Sequence, residues 1–111
     1  MIVGTLRMRP LPERRGELLE ILHSVQSRVL AQPGCVAFGI LEEQDEDAAI
    51  VLVERWESEA ALDHHIRSEA YRRILAALEL SSDAPEIRFD SISASEGIEK
   101  IERARAPRTA S

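Results

Sequence analysis

The feature that most constrains this chain is the run Ala48-Ala-Ile-Val-Leu-Val53, which is apolar in both phases of a strand. A strand with one wet face alternates apolar and polar residues; one that is apolar throughout is covered on both sides. With 111 residues the chain holds one domain. Its own helices cover one face of a sheet, and nothing is left to build a further layer. A second subunit is the simplest cover for the other face.

The flanking segments read as alternating strands and helices. Residues 2–8 form a strand with Ile2, Gly4, Leu6 and Met8 on the apolar face and Val3, Thr5 and Arg7 on the other. Pro10 and Pro12 stop it. Leu18, Leu22, Val25 and Val29 then mark one side of a helix over 13–31, closed by Pro33-Gly34. Residues 35–43 and 48–56 read as a hairpin around the acidic turn 44–47, with Val36, Phe38 and Ile40 on one face and Cys35, Ala37, Gly39 and Leu41 on the other. Ser58 and Ser68 each precede an acid and an apolar helical pattern, so they cap helices over 59–67 and 69–80. Residues 86–93 make the last strand. The order β-α-β-β-α-β predicts an α+β, ferredoxin-like fold, with helices on one face of a four-stranded antiparallel sheet.

Residues 1–95 are read as this domain, carrying ten basic and seventeen acidic residues. Residues 96–111 are read as a tail with four basic and three acidic ones, in which Ile98 and Ile101 make one short helical turn before a frayed end at Pro107-Arg-Thr-Ala-Ser. The formal net charge of −6 argues against a nucleic-acid or anionic-membrane partner. One cysteine, Cys35, excludes a disulfide within the chain and a multi-cysteine zinc site. No apolar run reaches the length of about 20 residues that spans a bilayer. The first residues lack the pattern of a signal peptide, so a cytoplasmic location is expected.

The segment Val53-Glu-Arg-Trp-Glu-Ser-Glu-Ala-Ala-Leu-Asp-His-His65 carries Glu54, Trp56, Ser58, Ala61, Leu62 and a histidine nine residues after the tryptophan. It resembles the antibiotic biosynthesis monooxygenase family of dimeric α/β-barrel proteins, as does the Gln32-Pro33-Gly34-Cys35 turn; the likeness covers about residues 1–93. The resemblance implies a homodimer with sheets packed face to face, and a pocket between sheet and helices in each subunit. It also implies that oxidation of phenols or quinols by O2 without metal or flavin is one activity of the scaffold. Haem degradation and isomerisation are others. The haem-degrading branch has an asparagine and an axial histidine where this chain has Thr5 and Leu75, so haem chemistry is not expected.

The resemblance makes His65 the candidate catalytic base, since an imidazole facing an apolar pocket can take a phenolic proton. A hydrogen-bonding role at the helix surface is the alternative. Trp56, Tyr71, Thr5 and Phe38 are the candidate substrate-contacting residues, with ordinary core packing the alternative for Trp56 and Phe38. His64 lies about 100° from His65 around the helix and cannot share its pocket. No base accompanies Cys35, and no phosphate loop or nucleophilic-serine motif is present. The expected function is a cofactor-independent, monooxygenase-like enzyme acting on a small aromatic. An isomerase on the same scaffold, or a ligand-binding or interaction module, are the alternatives.

Overall fold

The computed structural model describes residues 1–108; the last three residues of the expected frayed end lie outside the described part. The elements are β1 (Ile2–Met8), a 3-10 turn (Pro12–Arg14), α1 (Arg15–Leu30), β2 (Cys35–Glu42), β3 (Ile50–Trp56), α2 (Glu59–Ile66), α3 (Glu69–Glu79), β4 (Glu86–Ser91) and α4 (Ile98–Arg105). All strand pairs are antiparallel and the order across the sheet is β2-β3-β1-β4, the expected ferredoxin-like arrangement.

Alternation sets the two faces. Gly4, Leu6 and Met8 of β1 and Ile50, Leu52, Glu54 and Trp56 of β3 are all buried on the helix side. They meet Leu18, Leu22, Val25 and Val29 of α1 and Ile74, Ala77 and Leu78 of α3. Each fully buried aliphatic side chain of α1 contributes about 1.5–3 kcal/mol by leaving water. On the other face Val3, Thr5, Val51 and Val53 are only half-buried within the one chain. That is the face for which the apolar run predicts a cover.

Three boundaries differ from the expectation. Ala48 takes a left-handed φ of 48° in the hairpin turn, so β3 starts at Ile50 and not at 48. In β2 the register shifts between Cys35 and Ala37, and Val36 becomes the extra residue of a bulge. The faces assigned to 35–41 therefore need correction: Cys35 joins Phe38 and Ile40 on the helix side, opposite Trp56, Glu54 and Leu52, while Val36 is exposed. The expected single turn at Ile98 is an eight-residue helix, α4.

The connection between α1 and β2 positions the site. Gly34 adopts φ +80°, and a Cβ there would lie 2.5 Å from the Ala61 Cβ. Its carbonyl accepts from the Glu57 N–H at 2.8 Å. Only glycine permits both the left-handed backbone and the close approach. The contact pins the turn after α1 against the start of α2 and brings Gln32 up to His65.

Candidate functional site

His65 sits in the last turn of α2 with no solvent exposure, and Glu54 sits beneath it on β3, equally buried. Glu54 Oε2 lies 3.1 Å from His65 Nε2. On the other side of the ring, His65 Nδ1 lies 2.9 Å from Gln32 Oε1. Trp56 stacks on the imidazole with ring centroids 4.4 Å apart and planes 25° apart, and Tyr71 meets it edge-on at 5.0 Å. Phe38 lies opposite Glu54 in the β2–β3 register and is buried.

Hydrogen-bond polarity places the protons. The Ser68 hydroxyl donates its one proton to the His65 carbonyl oxygen at 2.7 Å. It must therefore accept from its other two neighbours, the Gln32 Nε2 amide at 3.1 Å and the Tyr71 N–H at 3.4 Å. With its amide nitrogen turned to Ser68, Gln32 presents its oxygen to His65. Nδ1 then carries a hydrogen and donates it. The other nitrogen faces a carboxylate, and one proton lies between them: imidazolium with carboxylate, or imidazole with carboxylic acid.

Two buried polar atoms here have no partner among the described residues: Glu54 Oε1, an acceptor, and Trp56 Nε1, a donor. They belong to residues two apart on one face of β3. An unsatisfied buried polar atom costs about 1–3 kcal/mol, and the two are of opposite polarity, one able to accept a hydrogen bond and the other to donate one. Gly4 creates room for the carboxylate. A Cβ at Gly4 would lie 2.9 Å from Glu54 Cγ and Oε1 and 3.0 Å from Phe89 Cε1. Burial first, and then the charge at Glu54, push both the Tyr71 phenol and the Cys35 thiol above their ordinary values. Cys35 is thus a neutral thiol at pH 7, not a nucleophile.

The structure gathers His65, Trp56, Tyr71 and Phe38 into one cluster. Thr5 is not part of it. Its neighbours Gly4 and Leu6 point to the helices, so Thr5 points to the opposite face of the sheet, beside Val53 and Arg88. The strand arginines Arg7 and Arg88 are paired away from Glu54. Arg7 bonds Glu43 through two nitrogens at 2.7 Å, and Arg88 pairs with Asp90 at 3.2 Å. His64 is exposed and lines a shallow cleft with Pro33, Gly34 and Ser58. Glu54, Gln32 and Ser68 are the members that sequence reasoning missed. Glu54 had a readable signal: a carboxylate in the core phase of Ile50-x-Leu52-x-Glu54-x-Trp56. Gln32 had none. Among the described residues no group of three histidine, cysteine, aspartate or glutamate side chains is arranged to hold a metal, and no helix is long and apolar enough to cross a membrane.

Comparison with known proteins agrees with this architecture. A conserved protein from Methanosarcina mazei superposes with a TM-score of 0.74 at 27% identity, covering 80% of this chain and 89% of that one. Rv0793 from Mycobacterium tuberculosis gives 0.78 at 24% identity, covering 86% and 98%. An uncharacterized protein of Synechocystis is 21% identical over 75 residues, 68% of this chain and 50% of that protein, so the chain spans about half the length of that curated relative. The family model for antibiotic biosynthesis monooxygenases matches residues 1–77, which contain the whole Glu54–His65 cluster, and on that match the chain belongs to the antibiotic biosynthesis monooxygenase family.

Proposed function

We propose that this chain is a cytoplasmic, homodimeric, cofactor-independent monooxygenase-like enzyme that oxidises a small phenol or quinol with O2. The observation that carries the proton chemistry is the unpartnered Glu54 Oε1, fully buried and backed by His65. The oxygen chemistry rests on the family. Both ring nitrogens of His65 are already engaged, so in this reading the atom that meets substrate is Glu54 Oε1, and His65 is the group that positions and charge-balances it.

In the proposed reaction the substrate O–H donates to Glu54 Oε1 while its oxygen accepts from the Trp56 Nε1–H. Transfer of that proton leaves a phenolate, and the imidazolium of His65 balances its charge. The electron-rich ring reduces O2 and a C–O bond forms at a ring carbon, giving a hydroperoxide. The C–H bond at that carbon and the O–O bond then break. One oxygen atom stays as the new carbonyl, and the other leaves as water with the two hydrogens, one of them returned by Glu54. The four electrons that reduce O2 all come from the substrate, so the balance needs no further reductant. The apolar walls formed by Phe38, Trp56 and Tyr71 exclude water from the anion. The proposed approach is past Phe89, which is 41% exposed and, like Glu54, borders the space over Gly4.

The test is oxygen uptake by metal-stripped protein on a panel of quinols, catechols and polycyclic phenols, with Glu54→Gln alongside. Uptake above the spontaneous rate that falls about 10²-fold or more in Glu54→Gln is expected, the usual scale for losing a general base. Exchange of a substrate C–H hydrogen with solvent deuterium, without oxygen uptake, would assign the same acid–base pair to an isomerase. Uptake unchanged in Glu54→Gln would refute the proposed base.

A further inference from the structure

The C-terminal helix α4 is folded yet buries none of its eight residues. Ile98 and Ile101 are 70% and 59% exposed. On helical spacing Ile98, Ile101, Glu102 and Arg105 share one face, with Glu102 and Arg105 along its edge. An isolated helix much shorter than about 12 residues is marginal in water, so one of this length needs a surface to pack on. Within the described chain it has none. The radius of gyration is 17.3 Å, against about 13 Å for a compact domain of this length. The long axis is 59 Å, with 36 and 22 Å across it.

The body carries a matching bare surface. All six residues of β4 are exposed. Ile87 and Phe89 stand opposite Leu6 and Gly4 and therefore face the helix side, but remain 46% and 41% exposed because α1–α3 lie over the other strands. Where α3 leads into β4, a shallow, open cleft of about 520 Å³ is lined by Leu75, Leu78, Ala84 and Pro85 together with Glu79 and Asp83. The cleft has an apolar lining with two acids, Glu79 and Asp83; α4 offers an apolar stripe whose C-terminal end carries Arg105.

The direction of the chain argues against α4 filling its own cleft. Glu86 pairs with Arg7 and Ser91 with Ile2, so β4 begins beside the cleft and leaves the sheet at the far end. We propose that α4 is an exchanged arm that seats on a second copy of this chain. Ile98 and Ile101 enter the cleft lined by Leu75, Leu78 and Pro85, Arg105 meets Glu79, and the arm lies along Ile87 and Phe89. In that position the partner's arm roofs the approach to Glu54; this last step rests on the access route past Phe89 given above, while the docking itself does not.

The test uses full-length chains in a Cys35→Ser background. One copy carries Leu75→Cys, the other Ile101→Cys, with different affinity tags, and the two are co-expressed and oxidised. The expected result is a disulfide between the two tags, formed in several-fold higher yield than with Lys100→Cys, which points to the other side of α4. Light scattering on the unsubstituted chain is expected to give a dimer. A monomeric mass, equal yields from positions 100 and 101, or a 75–101 disulfide that closes only within a doubly substituted chain would each overturn the exchange. No substrate enters the assay, so an inactive protein with crosslinked arms would refute the enzyme reading and leave the arm intact.

Discussion

Replacing His65 by leucine isolates the interaction at the centre of the site. The substitution keeps an apolar body in the core but removes the partner of Glu54 Oε2. Oε1 has no partner to begin with, so the carboxylate would be buried with both oxygens bare. Removing one member of a buried ion pair costs about 3–5 kcal/mol, and Gln32 Oε1 loses its donor as well. For a domain of this size about 1 kcal/mol corresponds to about 4 °C, so His65→Leu lowers Tm by about 12–20 °C. Glu54→Leu alone strands only a neutral ring nitrogen, at about 1–3 kcal/mol. Replacing both residues leaves no buried charge on this axis and only Gln32 Oε1 without its donor, and the double variant is expected to be more stable than the sum of the single losses by about 1–3 kcal/mol. Urea denaturation of the four proteins at pH 7 gives the cycle. Additivity within about 0.5 kcal/mol would mean that the two groups do not act as a pair, and the proton-sharing argument would fail with it.

Three other outcomes follow from the same geometry. Gly4→Ala places a methyl group 2.9 Å from Glu54 Oε1 and is expected to cost about 1–3 kcal/mol by overpacking, with oxygen uptake falling further than stability because the carboxylate must move; an unchanged Tm and rate would contradict the packing. Cys35 and Tyr71 are both held neutral by burial and by the charge at Glu54. The unfolded chain releases those protons first, so stability is complete below the ordinary thiol value of about 8.5 and declines as pH rises above it. Cys35→Ser flattens the first part of that decline in urea titrations from pH 8 to 11, and a parallel curve would refute the assignment. At acid pH the sign reverses: the Arg7 guanidinium lowers the Glu43 carboxyl, so its contribution is present above the ordinary carboxylate range and lost as pH falls through the depressed value. Arg7→Gln is expected to remove that segment of the acid-unfolding curve.

Much of the architecture was legible because it follows from periodicity. The two-residue alternation of β1 and β3, the Leu18–Val29 stripe and the caps Ser58 and Ser68 each have a local cause, and each element formed where that cause lies. The bulge at Val36 was not legible, since register is set by what β2 pairs with and not by its own residues. His65, Trp56, Tyr71 and Phe38 could be nominated from residue type and motif, but their arrangement depends on tertiary contact. Gln32 reaches His65 only because Gly34 docks the turn against Ala61. Ser68 reads as a helix cap, and its second task of orienting the Gln32 amide appears only in three dimensions. Thr5 was nominated by resemblance, against its own alternation, which already put it with Val3 and Arg7 on the far face. Glu54 was the anomaly to weigh more heavily: a carboxylate in a core phase marks a specific partner inside the protein.

The most direct test is the tautomer of His65, read by 15N NMR of the histidine-labelled chain, with His65→Leu identifying its signals. Nδ1 is expected to carry a hydrogen held by Gln32, and Nε2 is expected to shift when Glu54 is changed to Gln while Nδ1 does not. A neutral ring with its hydrogen on Nε2 and a bare Nδ1 would reverse the polarity of the network. Glu54 would then accept an ordinary imidazole hydrogen, and the shared proton on which the proposed chemistry rests would not exist.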